Sequence, residues 1–203
     1  MLITDIRTRR KGLSQLYIDG EEAMKLDTFT LEANGIKVGQ SLTDEELFEL
    51  IKKSEAHRAS EKALYLLEYR ARSKKELIDK VSEVASKETA EQTADRMEEL
   101  GLIDDREFAR VFVRQLFSVK KFGKRRVVQE LRIKGISSEI IDEVIEEYED
   151  EPIEKIKMLL EKKYRGFADD EKIKRRAVSA LQRYGYSFDE IREGMSSFDF
   201  EDF

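Results

Sequence analysis

The chain contains no cysteine, which excludes a disulfide framework, a thiolate nucleophile and a thiolate-ligated zinc or iron–sulfur centre. Its single histidine, His57, builds neither a histidine-based metal site nor a Ser/His/Asp triad by itself, and its polar surroundings in Glu55–Glu61 read as protein surface. No Gly-x-x-x-x-Gly-Lys-Ser/Thr run is present, so a P-loop is absent. Nothing approaches the roughly 18 consecutive apolar residues that span a bilayer, and Met1–Arg10 lacks the apolar centre of a signal peptide. These absences predict a cytoplasmic protein that binds no membrane. With one proline in 203 residues, little in the chain interrupts helix.

Charge is what the chain has in excess. Asp, Glu, Lys and Arg make up 40% of it, against about a quarter in an ordinary globular protein. The apolar share is also 40%, with 11 Phe and 7 Tyr, so a core is affordable and the composition is not that of a disordered chain.

Residues 1–42 read as a small β-hairpin module. Leu13–Ile18 is an apolar run followed by Asp19-Gly20, the dipeptide of a type I′ turn, and Ile3–Arg9 is placed to pair with it. Asp27 is placed to cap a short helix through Asn34, closed by Gly35. From Thr43 the apolar period is helical. Thr43 with Glu46 forms a capping-box pattern, and 43–54 reads as a connecting helix.

Helical segments then continue to residue 198, nine in all after the opening module. An offset of 50 residues aligns them: Gly135-Ile136-Ser137 matches Gly185-Tyr186-Ser187, and Lys75, Leu77 and Val81 match Arg125, Val127 and Leu131, then Arg175, Ala177 and Leu181. The fold expected is mainly α: three tandem three-helix repeats over 55–102, 103–151 and 152–198, stacked into an elongated curved body. Residues 199–203 form an acidic tail, within an acidic-aromatic end that begins at Phe198.

The net charge is −6, which argues against a general nucleic-acid coat, but its distribution is uneven. Asp104–Gly135 holds ten Lys/Arg against four Asp/Glu, whereas Glu139–Glu154 holds nine acidic residues and no basic one. Lys124, Arg125 and Arg126 occupy the first turn of an expected helix. Lys74 and Lys75 hold that place in the first repeat, and Lys172, Lys174, Arg175 and Arg176 in the third. Cations there oppose the helix dipole at about 0.3–1 kcal/mol each, so their repetition suggests a purpose outside helix stability. The bland alternative is that they pair with acidic helices of the same molecule. Binding is favoured for Lys120, Lys121, Lys124, Arg125 and Arg126, flanked by Phe117 and Phe122, with Arg132 and Lys134 extending the patch. Asp104-Asp105 and Asp169-Asp170 resemble metal-binding pairs, but each opens a helix, where Asp caps free N–H groups.

The run Gly101-Leu102-Ile103-Asp104-Asp105-Arg106-Glu107-Phe108-Ala109, followed by Lys121-Phe122-Gly123-Lys124-Arg125-Arg126, Glu130-Leu131 and Lys134-Gly135-Ile136, is similar to the signature of the RecX recombination regulators. Tyr69-Arg70, Arg72-Ser73 and Glu76-Leu77 also resemble it, and the hairpin module looks like the N-terminal extension of Gram-positive members. The resemblance covers about residues 57–200. It implies three tandem three-helix repeats and a non-enzymatic monomer without cofactor. It further implies binding to the RecA recombinase filament along its groove, with damping of the filament's ATPase and strand exchange, and in some members binding to single- or double-stranded DNA. The docking cations would be Lys74, Lys75, Lys124, Arg125, Arg126, Arg175 and Arg176 on one face. The alternatives are a helical nucleic-acid adaptor unrelated to recombination and, more remotely, a hydrolase built on the Asp pairs.

Overall fold

The computed structural model describes residues 1–198, so the acidic tail at 199–203 lies outside the described residues. The chain divides into two compact units, Met1–Ile103 and Asp104–Phe203.

The first unit opens with an antiparallel sheet of three strands in the order β1 (Ile3–Thr8), β2 (Leu13–Ile18) and β3 (Glu21–Asp27). Asp19 and Gly20 both adopt positive φ, 51° and 89°, the backbone that a type I′ turn requires. The β3 strand was not expected from its sequence, because Glu21-Glu22-Ala23-Met24-Lys25 lacks β-branched residues and clean alternation. Pairing carries it instead, with Met24 opposite Leu16 and Leu26 opposite Ser14. Asp27 then caps α1 (Thr28–Ala33), its Oδ2 accepting from Thr30 N at 2.8 Å.

Thr43 and Glu46 close the expected capping box, opening α2 (Asp44–Tyr69). This helix is continuous for 26 residues, about 39 Å, and crosses the boundary expected at residues 54 and 55. Leu47 and Leu50 near its start bury against Ile3, Leu16, Leu26 and Leu31. Ala59, Ala63 and Leu66 further on pack with Leu77, Val81, Ala90, Ala94 and Met97. The last five belong to α3 (Lys74–Val81) and α4 (Lys87–Glu99). One helix therefore serves two cores, and the opening module and the first three-helix group form a single unit.

The second unit holds two further groups, each around its own core. Helices α5 (Asp105–Arg114), α6 (Lys124–Ile133) and α7 (Ser138–Glu146) enclose Ala109, Val113, Phe117, Val127, Leu131 and Ile141. Helices α8 (Pro152–Lys163), α9 (Glu171–Tyr184) and α10 (Phe188–Ser196) enclose Ile156, Leu160, Ala177, Leu181, Tyr186 and Ile191. The two carry the 50-residue match into three dimensions. Gly135 and Gly185 have positive φ, the next residues Ile136 and Tyr186 are buried, and Ser137 and Ser187 cap α7 and α10. Asp104 and Asp170 are helix caps, each accepting two backbone N–H groups.

Candidate partner- and nucleic-acid-binding surface

The basic segment 120–126 is built by three local devices. Helix α5 ends in a π-helical turn, Gln115–Val119, which widens the backbone and buries Leu116 and Phe117. Lys121 then takes a left-handed conformation, φ 55°. Its carbonyl accepts the Tyr186 hydroxyl at 2.8 Å, and Gly123 N–H donates to the Tyr184 carbonyl at 2.8 Å. The third helical group thus pins the turn of the second. The Tyr186 ring is buried, which raises its phenol above the usual value and keeps the hydroxyl a donor.

The pinning leaves no space for a side chain at residue 123. A Cβ there would lie 2.6 Å from the Gly185 carbonyl group, and one on Gly185, at φ 96°, would lie 2.4 Å from Arg126 Cβ. Backbone meets backbone, so α6 starts without a side-chain cap. The C-terminal end of α9, and not an incoming anion, satisfies the Gly123 N–H.

The expected site residues sort into three fates. Lys124, Arg125 and Arg132 are exposed, and among the described residues none of them forms an ion pair. Arg125 and Arg132, seven residues apart, share the solvent face of α6 opposite Val127 and Leu131. Lys120 is exposed at the end of the π-helical turn, and Lys121 is partly covered. A second set is engaged internally. Arg126 lies 2.5 Å from Glu130 and above the Phe122 ring at 5.7 Å, while Lys134 lies over Phe112 at 5.6 Å.

The third set lies on α3 and at the start of α9. Lys74 is bound between Asp95 and Glu98 of α4, at 2.7 Å from each. Hydrogen bonds to these two carboxylates push its ammonium up to about 12. Lys75 stands 3.9 Å from Asp79 in its own helix. In this group the bland alternative holds. Arg175 pairs with Glu171 at 3.2 Å, and Arg176 is exposed. Both sit at the start of α9, about 13 Å along its axis from the end that meets α6. Within the second unit, the fold brings Arg183, from the last turn of α9, to the start of α6 in place of Arg175 and Arg176. Arg125, Arg126 and Arg183 line a cleft of about 270 Å³ with Gln129, Gln182 and Phe188.

Two features were missed from the sequence. The acidic run at Glu139–Glu154 neutralises α5, not α6: Arg110 lies 2.9 Å from Glu147 and 3.2 Å from Glu143, and Arg106 lies 3.1 Å from Glu143. Hydrogen bonding to Arg110 holds the Glu147 carboxyl below its usual range. Lys155 of α8 is buried, ion-paired to Asp150, with its ammonium 4.3 Å from the centre of the Phe117 ring. Its amphipathic i, i+3, i+4 neighbours gave no hint of that role. His57 also departs from a plain surface residue, stacking on Phe29 at 4.6 Å with Nδ1 3.1 Å from Asp27 Oδ2.

Among the described residues no group of three or more His, Cys, Asp or Glu is arranged to hold a metal, and no helix is long and apolar enough to cross a membrane.

Comparison with known proteins agrees with this architecture. Residues 104–145 match the family model of the RecX second three-helix domain, and residues 149–195 that of the third. The regulatory protein RecX of Bacillus subtilis is 31% identical over 209 residues, covering 98% of this chain and 78% of its own. That of Lactobacillus gasseri is 35% identical over 153 residues, covering 74% of this chain, which spans only 56% of the relative. A crystal structure of regulatory protein RecX superposes with a TM-score of 0.66 at 23% identity, over 96% of this chain and 98% of that one, a likeness of fold. Sequence and fold together establish that the chain belongs to the RecX family of regulatory proteins.

Proposed function

We propose that the protein is a non-enzymatic cytoplasmic regulator that binds the RecA–DNA filament and damps its ATPase and strand-exchange activity in recombination and DNA repair. The observation that carries this reading is the state of the α6 first turn. Lys124 and Arg125 are exposed and without ion pairs among the described residues, on a backbone fixed by Tyr184 and Tyr186. Cations on a held backbone have only side-chain freedom to lose on docking, and they suit carboxylates on the filament or DNA phosphates. Tandem three-helix domains add avidity by touching successive subunits. Inhibition then needs no chemistry, only differential binding to one filament state.

The test is the ATPase of a RecA-type recombinase on single-stranded DNA, titrated with a monomeric preparation of this protein. Replacing Lys124, Arg125 and Arg126 together by Ala is expected to raise the inhibitory concentration more than tenfold with helicity unchanged. Unaltered inhibition removes the patch from the mechanism. A salt slope near 0.7 per contact in binding to naked single strands assigns the cations to phosphate, and a flat response assigns them to protein.

A further inference from the structure

The third three-helix group leaves a cleft of about 380 Å³ between α9, α10 and the loop that precedes α9, walled by Phe167, Val178, Phe188, Ile191 and Met195. Two cations, Lys174 and Arg192, stand at the same cleft. Arg192 pairs with Asp189 of its own helix at 2.9 Å, whereas Lys174 is exposed and forms no ion pair among the described residues. Phe188, the first residue of α10, is 63% exposed, so its ring is not part of the core. An apolar wall this open is seldom left bare.

The chain arrives at this cleft from α10. Met195 and Ser196 line it, and Phe198, the last described residue, sets its ring edge-on to Phe167, with 5.2 Å between centroids and an interplanar angle of 84°. Next in the sequence come Asp199-Phe200-Glu201-Asp202-Phe203, outside the described residues, which add two rings and three carboxylates. Fully extended, such a segment reaches at most about 17 Å. A second cleft, of about 280 Å³, also borders Phe198, but Glu154 and Glu161 line it, and its cation, Lys157, pairs with Glu154 at 3.3 Å. Carboxylates entering there would meet like charge; at the first cleft they meet Lys174.

We infer that residues 199–203 of this same chain cover the first cleft, with Phe200 and Phe203 against the wall of Val178, Phe188 and Ile191 and the acidic residues beside Lys174. The rings continue the packing that Phe198 begins on Phe167, and the carboxylates between them answer the cation at the rim. A tether of a few residues keeps the local concentration of the segment in roughly the millimolar range, so weak contacts suffice. The same segment of a second copy, or an acidic-aromatic peptide of another protein, offers this chemistry without the tether. Docked, the segment withholds both Lys174 and the apolar wall from other partners.

The test uses the full chain with one fluorescent dye, which Asp202→Cys places at a unique position because the sequence has no cysteine. Quenching by acrylamide, a neutral probe, is expected to be at least about threefold weaker than for the same dye on a free peptide of residues 198–203. Phe200→Ala with Phe203→Ala is expected to remove that protection. Phe188→Ala and Lys174→Glu, at exposed positions that spare the fold, are each expected to lower it at least about twofold. Quenching in the full chain equal to that of the free peptide overturns the inference and leaves the cleft to a partner protein. So does protection that both cleft variants leave intact, which puts the segment elsewhere, or protection that grows with protein concentration, which makes a second copy the occupant. No recombinase or nucleic acid enters the measurement, so its outcome is independent of the role of α6.

Discussion

The first turns of α3 and α6 begin from the same sequence idea and end differently. Both carry adjacent cations where the helix dipole disfavours them. In α3 the helix is capped by Ser73, whose hydroxyl accepts from Glu76 N–H at 3.2 Å, and Lys74 is held by two carboxylates of α4. In α6 the cap is Gly123, which offers no side chain, and Lys124 and Arg125 stand in solvent. One arrangement spends its charge inside the fold. The other keeps its charge available and starts without a side-chain cap, its Gly123 held by the backbone of the neighbouring three-helix group. Equivalent positions in a repeat thus need not share a function; what decides is whether an acidic helix packs within reach.

The sharpest way to break this comparison is to give α6 the cap that α3 has. A serine cap ordinarily adds about 1 kcal/mol. Gly123→Ser is nonetheless expected to destabilise the second unit by about 1–3 kcal/mol in urea unfolding, because its Cβ meets the Gly185 carbonyl. A stabilised variant would show that the two backbones are not in contact. Of the same size is the effect of Lys155→Ala, which leaves Asp150 without its partner and Phe117 without the ammonium over its ring. Chemical denaturation is expected to register a loss of about 1.5–3 kcal/mol.

Smaller effects sharpen the contrast in charge. Lys74→Ala should cost about 0.5–1 kcal/mol of stability while leaving filament inhibition within twofold. Because the Lys74 pKa is raised in the folded state, its contribution is complete below pH 10.5 and is lost as pH rises towards about 12. The Glu147 carboxyl is shifted the other way. Its contribution is present above about pH 4.5 and disappears as acid protonates it, so Arg110→Gln should flatten the acid limb of a stability–pH curve.

Much of the fold was legible because local signals agree with tertiary ones. Thr43, Ser137, Asp170 and Ser187 cap where their patterns place them, and Gly185 ends α9 with a positive φ. The third strand was not legible, since its residues pair through register and not propensity. The site was legible only in part. Helical spacing identified exposed Lys124 and Arg125, but the fate of each cation depends on partners far away in sequence. Asp95 and Glu98 lie more than twenty residues from Lys74, and Arg183 reaches the α6 turn only through the Gly123–Gly185 approach. Periodicity alone carries no such information.

The most direct measurement compares two paired variants, Lys124→Ala with Arg125→Ala and Lys74→Ala with Lys75→Ala, in inhibition of a RecA-type ATPase on single-stranded DNA. Solvent-facing cations on α6 predict a loss of about tenfold or more for the first pair and near-native inhibition for the second. Equal losses, or a greater loss for the α3 pair, would contradict it.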